Sequence, residues 1–254
     1  MQLQEDMAMD GPDTAQTAGT LVARLDELVL AQRILGMEGH DEITLGHVSW
    51  RDPEGRGFWI KRHGIAMADV MGIEDLVLIS FDGEKLEGDG NCHSEWPIHS
   101  EIYLARDDVQ SIGHTHAIYA TMFSATDETL RAIAHAGAYF SENVPRYTTT
   151  AHLVRSKKMG QGLAAALGDA PAVFMRNHGI TFVGRNVPHG VIMGFFLERA
   201  CFQQITLGAS GLNWAGSTAE EVKSKGPNLM TDAAVDMFWK HFCLKLARME
   251  GAWG

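Results

Sequence analysis

The sequence predicts an α/β domain in which helices pack on a largely antiparallel sheet. Two observations carry this. Short apolar runs such as Phe58-Trp59-Ile60 and Leu76-Val77-Leu78-Ile79 sit beside tight turn signals at Pro53-Glu54-Gly55 and Asp82-Gly83, and strands joined by such turns pair antiparallel. Between and after them run long stretches with apolar residues at helical spacing. Strands in hairpins mixed with long helices make a sheet with helices laid on it.

Taken in order, residues 1–15 are polar and acidic and read as a flexible arm. Leu21, Val22, Leu25, Leu28, Val29 and Ile34 then mark a helix over Thr17 to Gly36, stopped by Gly36 and Gly39. Gly46 to Pro53 alternates like a strand and returns as Gly57 to Lys61, a hairpin. Leu76 to Ser80 and Glu84 to Leu86-Glu87 form a second one about Asp82-Gly83. Trp96 to Arg106 reads as a helix, with Ser94 as its N-cap and Pro97 tolerated in its first turn. Asp107 to Ile112 is a strand feeding Gly113-His114-Thr115-His116. Ala117 to Ala125, Asp127 to His135 and Ser156 to Leu167 read as helices, the last closed by Gly168. Ala172 to Met175 and Ile180 to Val183 are strands around a turn that carries His178. His189 to Leu207 is a long helix, and residues 231–249 a final amphipathic one. Residues 212–228, rich in Gly, Ser and charge, read as a mobile loop. No internal repeat appears, so residues 1–254 read as a single domain.

Composition excludes several function classes. The 254 residues are 45% hydrophobic, enough for one sizeable core. Net charge is −11 and no long basic run occurs, which argues against nucleic acid or an anionic membrane surface as partner. No apolar run approaches the ~20 residues of a membrane span, and the N-terminus lacks the apolar core of a signal peptide. Three scattered cysteines, Cys92, Cys201 and Cys243, suggest neither a disulfide framework nor a cysteine zinc site. These features lead us to expect a cytoplasmic protein.

The chemistry centres on three histidines and one acid. Residues two apart on a strand share a face, so His114 and His116 project together if the strand runs through Thr115. His178 is the best placed third imidazole, with Gly179 behind it to let the backbone turn or approach a ligand. Three imidazoles plus Glu95 suit zinc, manganese, iron or cobalt, and an open position would make such a site catalytic. Taken singly these residues have plainer readings. Two strand histidines are often half-buried polar groups, and Glu95 at a helix start is favoured by the helix dipole.

In combination, the motifs resemble the class II aldolase/adducin-like family. They are Gly46-His47-Val48-Ser49-Trp50-Arg51, Ser94-Glu95 with Ile98-His99 and Ile102-Tyr103, Gly113-His114-Thr115-His116, and Arg176-Asn177-His178-Gly179. They occur in the family's order between about Leu21 and Leu207. The resemblance implies a three-layer α/β/α sandwich around a largely antiparallel central sheet. It implies one divalent metal ion per subunit on His114, His116 and His178, with Glu95 as a further ligand or as the acid/base. It also implies a homo-oligomer, with a tetramer favoured.

The departures bear on substrate. Sugar-phosphate members of the family hold a phosphate with an Asn, a Thr-Gly or Ser-Gly turn and paired serines. Here those places carry His47, His63-Gly64 and His93-Ser94. A phosphate cradle needs small residues so that backbone N–H groups reach the oxygens. The His-bearing variants resemble the family's decarboxylases of hydroxylated aromatic dicarboxylates, including dihydroxyphthalate types. The expected function is therefore metal-dependent, non-oxidative decarboxylation of such an aromatic carboxylate. The alternatives are an aldolase or epimerase acting on a sugar or sugar phosphate, and a binding module without catalysis. Candidate substrate contacts are His47, Ser49, Arg51, His63, His93 and Ser94; His99 and Asn177 are candidates to support the ligands. Lys61 reads as a solvated strand residue that has the chemistry to meet a carboxylate.

Overall fold

A computed structural model, which describes residues 14–141 and 144–251, gives the fold. Eight strands form one sheet: β1 His47–Arg51, β2 Gly57–Lys61, β3 Leu76–Ser80, β4 Lys85–Glu87, β5 Ser111–Thr115, β6 Arg146–Tyr147, β7 Ala172–Met175 and β8 Gly179–Gly184. Their order is β4-β3-β2-β1-β5-β8-β7-β6. Every pairing is antiparallel except β6 with β7. The first four strands are a meander of hairpins, and β5 docks on its free edge beside β1.

The strands alternate between two cores. Trp59, Leu76, Leu78, Phe174, Ile180 and Phe182 face one core with helices α1 (Thr14–Leu35), α3 (Ile118–Ser124), α4 (His135–Phe140), α6 (Val187–Ala209) and α8 (Asp232–Gly251). Phe58, Ile60, Val77, Ile79, Ile112, Val173 and Met175 face the other, under α2 (Trp96–Ala105) and α5 (Lys157–Leu167). The result is the three-layer α/β/α sandwich around a largely antiparallel sheet. Because both faces are covered, the strands read as apolar runs rather than a clean alternation. Gly113 in β5 is needed where the layers meet: a Cβ there would stand 2.1 Å from the Phe182 ring.

Four local expectations need correction. Residues 212–228 are not all loop: α7 (Ala219–Leu229) occupies most of them. Its start is a capping box, in which Thr218 accepts from the Glu221 N–H and Glu221 accepts from the Thr218 N–H. Asp127 to His135 is not a helix. Its backbone is satisfied from elsewhere: the Gln204 amide takes the Arg131 N–H and the Thr129 carbonyl, and Arg146 donates to the Glu128 carbonyl. The N-cap of α2 is Glu95 and not Ser94, and it makes no capping hydrogen bond because its carboxylate turns elsewhere. Strand β5 begins at Ser111 and not at Asp107, since Asp108 is paired with Arg106. The expected flexible arm lies outside the described residues, apart from Thr14 and Ala15, which are helical. No described helix is long and apolar enough to cross a membrane.

Candidate metal centre

Strand β5 runs through Thr115, so His114 and His116 lie near its C-terminal end. In the ladder His114 sits between His47 of β1 and Thr181 of β8. His178 arrives from the turn between β7 and β8, where Asn177 takes a left-handed φ of 55°. Gly179 keeps that turn close: a Cβ would stand 2.6 Å from both the His116 ring and the Thr115 carbonyl oxygen. The three rings lie 5.0, 5.0 and 5.2 Å apart between centroids. One nitrogen from each falls within 4.8 Å of the others.

The hydrogen bonds around the cluster fix which nitrogens face inward. His114 Nδ1 lies 3.0 Å from the Ile180 carbonyl oxygen, to which it can only donate. His116 Nδ1 donates in the same way to the Glu42 carboxylate at 2.7 Å. In its neutral form each ring then presents the lone pair of Nε2, and the two Nε2 atoms are 3.2 Å apart. Facing lone pairs repel unless a cation lies between them. Both nitrogens of His178 are buried without a hydrogen-bond partner. Glu95 completes the group, with Oε2 3.8 Å from His114 Nε2 and Oε1 3.6 Å from His178 Nε2. These are the N and O donors a divalent transition ion takes, backed by the carbonyl and carboxylate partners such ligands use. The residues fit a metal.

Electrostatics agree. Burial, with the neighbouring imidazoles, holds His114 well below the usual histidine range and His178 at about 4. These two rings are therefore neutral near pH 7, the form that ligates. Burial pushes the Glu95 carboxyl up, against the Val154 N–H that donates to Oε1 at 2.7 Å and the charge of Arg155.

Behind His114 lies a second row of polar side chains. His47 Nδ1 is 2.7 Å from His99 Nε2, His99 Nδ1 is 2.7 Å from Ser49 Oγ, and Ser49 Oγ is 2.8 Å from the Tyr103 hydroxyl. His99 thus supports His47, with its ring stacked on Phe58, and touches no member of the metal cluster. His93 packs on His47 at 4.4 Å between centroids, and the exposed His63 packs edge-on to His93 at 5.3 Å. Ser94 is exposed beside Glu95.

Three candidates are placed otherwise than expected. Arg51 does not reach the site: its guanidinium donates to the carbonyls of Tyr103, Arg106 and Val109 and lies over the Tyr103 ring. Ser49 is fully buried and holds His99, so it meets no substrate. Asn177 is exposed, and what it supplies is the left-handed turn. One residue was missed: Glu42, which orients His116, lies in a loop with no sequence signal. Lys61, expected to be solvated, is 0% exposed; its place at the end of the apolar Phe58-Trp59-Ile60 run was the available clue. A separate cavity of about 470 Å³ opens near the other end of β5, between Val109, Tyr139, Gly184 and His189. Its arginines, Arg106 and Arg185, are paired with Asp108 and Asp232.

Residues 26–205 match the family model described as class II aldolase and adducin N-terminal domain. The chain belongs to the class II aldolase and adducin family. It is 32% identical over 186 residues to the meiotically up-regulated gene 14 protein of Schizosaccharomyces pombe, covering 72% of each chain. It is 26% identical over 247 residues to a 3,4-dihydroxyphthalate decarboxylase of Arthrobacter keyseri, covering 90% of this chain and 94% of that one. Among solved structures it resembles an L-fuculose 1-phosphate aldolase from Glaciozyma antarctica, with a TM-score of 0.83, 25% identity and 96% of each chain covered. Within the family the chain thus lies near named decarboxylases, and its fold is shared with the aldolases.

Proposed function

We propose that this protein is a metal-dependent, non-oxidative decarboxylase of hydroxylated aromatic dicarboxylates of the dihydroxyphthalate type. One observation carries the reading. Beside the three-imidazole, one-carboxylate cluster, the rings of His47, His93 and the exposed His63 pack in a row, where a phosphate cradle needs small residues and free backbone N–H groups. The Arthrobacter relative's name supports the same class of substrate.

Loss of CO₂ from an aromatic ring leaves an electron pair on the ring carbon. A proton added first at that carbon, with a ring hydroxyl ortho or para going to its keto form, gives the pair a place to go. The C–C bond then breaks, CO₂ leaves, and the ring regains its aromaticity. A divalent ion on His114, His116 and His178 would supply Lewis acidity and a template for ring oxygens. Glu95 is the proton donor in this reading. Its Oε1 is occupied by the Val154 N–H, which leaves Oε2 as the oxygen that carries the proton. Burial favours the protonated form. His47, oriented through Nδ1 by His99, offers its other nitrogen to the substrate. The active species is a cytoplasmic homo-oligomer, with a tetramer favoured.

CO₂ release from a panel of ortho-hydroxy phthalates tests the reading. Release that depends on added metal and disappears in Glu95→Gln is the expected result. A second reading, aldol cleavage of a sugar phosphate, draws on the Glaciozyma aldolase likeness. Formation of an aldehyde from fuculose 1-phosphate, with no CO₂ from the phthalate panel, would replace the first reading by the second.

A further inference from the structure

Lys61 is a buried cation with no ion-pair partner among the described residues. It is 0% exposed at the end of β2. Its ammonium donates to the Thr44 carbonyl at 3.1 Å, the Ile65 carbonyl at 2.7 Å and His93 Nε2 at 3.4 Å. Among the described residues it forms no ion pair. Asp41, whose charge favours its protonation, is itself engaged by the N–H groups of Met67 and Ala68. Removing an ammonium from water without a counter-charge is costly. Two carbonyls and an imidazole satisfy its protons but leave its charge unbalanced.

The charge sits directly behind a row of imidazoles. His63, His93, His47 and His114 form a row with centroid steps of 5.3, 4.4 and 5.3 Å, running from the exposed rim to the metal cluster. His93 is fixed within it. Lys61 occupies its Nε2, and the ring also hydrogen-bonds to the Arg62 carbonyl. Such a ring is a neutral spacer that adds no charge of its own to offset the ammonium behind it. At the rim, His63 is exposed and free to donate.

We propose that Lys61, acting across His93, and His63, touching the ligand, make the exposed His63 end of this row, remote from the metal cluster, a carboxylate subsite. Lys61 is a positioning residue that supplies charge, and His63 is the contact. The substrate class follows: a ring with one carboxylate at the rim and its chelating oxygens at the metal cluster. The cation, which has no ion-pair partner among the described residues, then gains a counter-charge from the substrate. This deepens the decarboxylase reading and rests on it for the orientation of the ring, but its test needs no turnover.

The experiment is calorimetric titration of the metal-loaded full chain with phthalate and with benzoate. In the wild type phthalate should bind at least about tenfold more tightly than benzoate. In Lys61→Met that ratio should fall to about one, with the benzoate affinity and the metal stoichiometry unchanged; Lys61→Arg should restore it. If Lys61→Met does not fold, exposed His63→Ala carries the test and must cut the ratio at least about threefold. A wild-type ratio near one overturns the proposal. So does a ratio that survives in a folded Lys61→Met, or an equal loss of both ligands in that variant. Failure of the phthalate panel to release CO₂ would overturn the decarboxylase reading while leaving the binding ratio to be judged separately.

Discussion

The Nε2 atoms of His114 and His116 face one another across 3.2 Å, each with its proton drawn to the opposite side of the ring, by the Ile180 carbonyl and the Glu42 carboxylate. When both nitrogens act as acceptors, a cation between them satisfies both. A divalent ion should therefore stabilise the fold as well as complete the site. Raising free Zn²⁺ or Mn²⁺ from far below its Kd to about 100 times Kd should add about 2.7 kcal/mol, read as a higher unfolding midpoint. His178→Ala should remove most of that gain, because a ring with two unpartnered buried nitrogens contributes little to the metal-free fold. Equal midpoints with and without metal in the wild type would count against the centre.

Glu95 has two possible duties, ligand and proton donor, and Glu95→Gln separates them. Glutamine keeps the shape and an acceptor for the Val154 N–H. As proton donor, Glu95 is worth about 10²–10⁴ in kcat, and its loss should leave metal affinity within about tenfold. As ligand alone, its replacement should instead lower metal affinity and activity together. Metal content after dialysis, measured beside single-turnover rates, distinguishes the two.

Glu42 orients His116 from outside the cluster, at 2.7 Å from Nδ1, and its side chain is 55% exposed. Carboxylates in that position raise the ligand's basicity, and their loss commonly costs 10–100-fold in metal affinity. Glu42→Gln should fall near the low end, about tenfold, because solvent screens the pair. The fold should be unaffected, as read by an unchanged far-UV circular dichroism spectrum and unfolding midpoint in excess chelator. An unchanged metal affinity would mean that the Glu42 contact does not tune the ligand.

How much of this was legible follows from where each residue's signal resides. His114 and His116 were legible because a period of two on a strand is a local property. The sheet was legible because strands covered on both faces become apolar runs bounded by turns. Arg51 and Lys61 were misjudged in opposite senses, and for one reason: the partners of a long cationic side chain are set by tertiary structure. Arg51 found three carbonyls, one in the last turn of α2 and two in the segment after it, and Lys61 found two from loops 41–46 and 62–66. The segment after Asp127 failed as a helix because Gln204, more than 70 residues away, satisfies its backbone. Helix α7 was missed because its polar composition outweighed the Thr218 and Glu221 capping pair, a signal that was present in the sequence.

The buried ammonium has a pH signature of its own. Burial, opposed by Asp41 and assisted by Arg62, lowers the Lys61 pKa from an ordinary 10.5 to about 8. Below pH 8 the lysine is protonated both folded and unfolded, so the full cost of burying its charge is present. Between pH 8 and 10.5 the unfolded chain still binds the proton while the folded chain has released it. Stability must rise with pH across that window, by up to roughly 3 kcal/mol if nothing else titrates. Other groups do titrate there, so the quantity to measure is a difference: urea unfolding of the wild type and Lys61→Met at pH 7.5 and pH 10, both in excess chelator. The wild type should gain on the variant as pH rises. Parallel curves would mean that the ammonium is not held at a cost, and would remove the physical reason for it to attract a carboxylate.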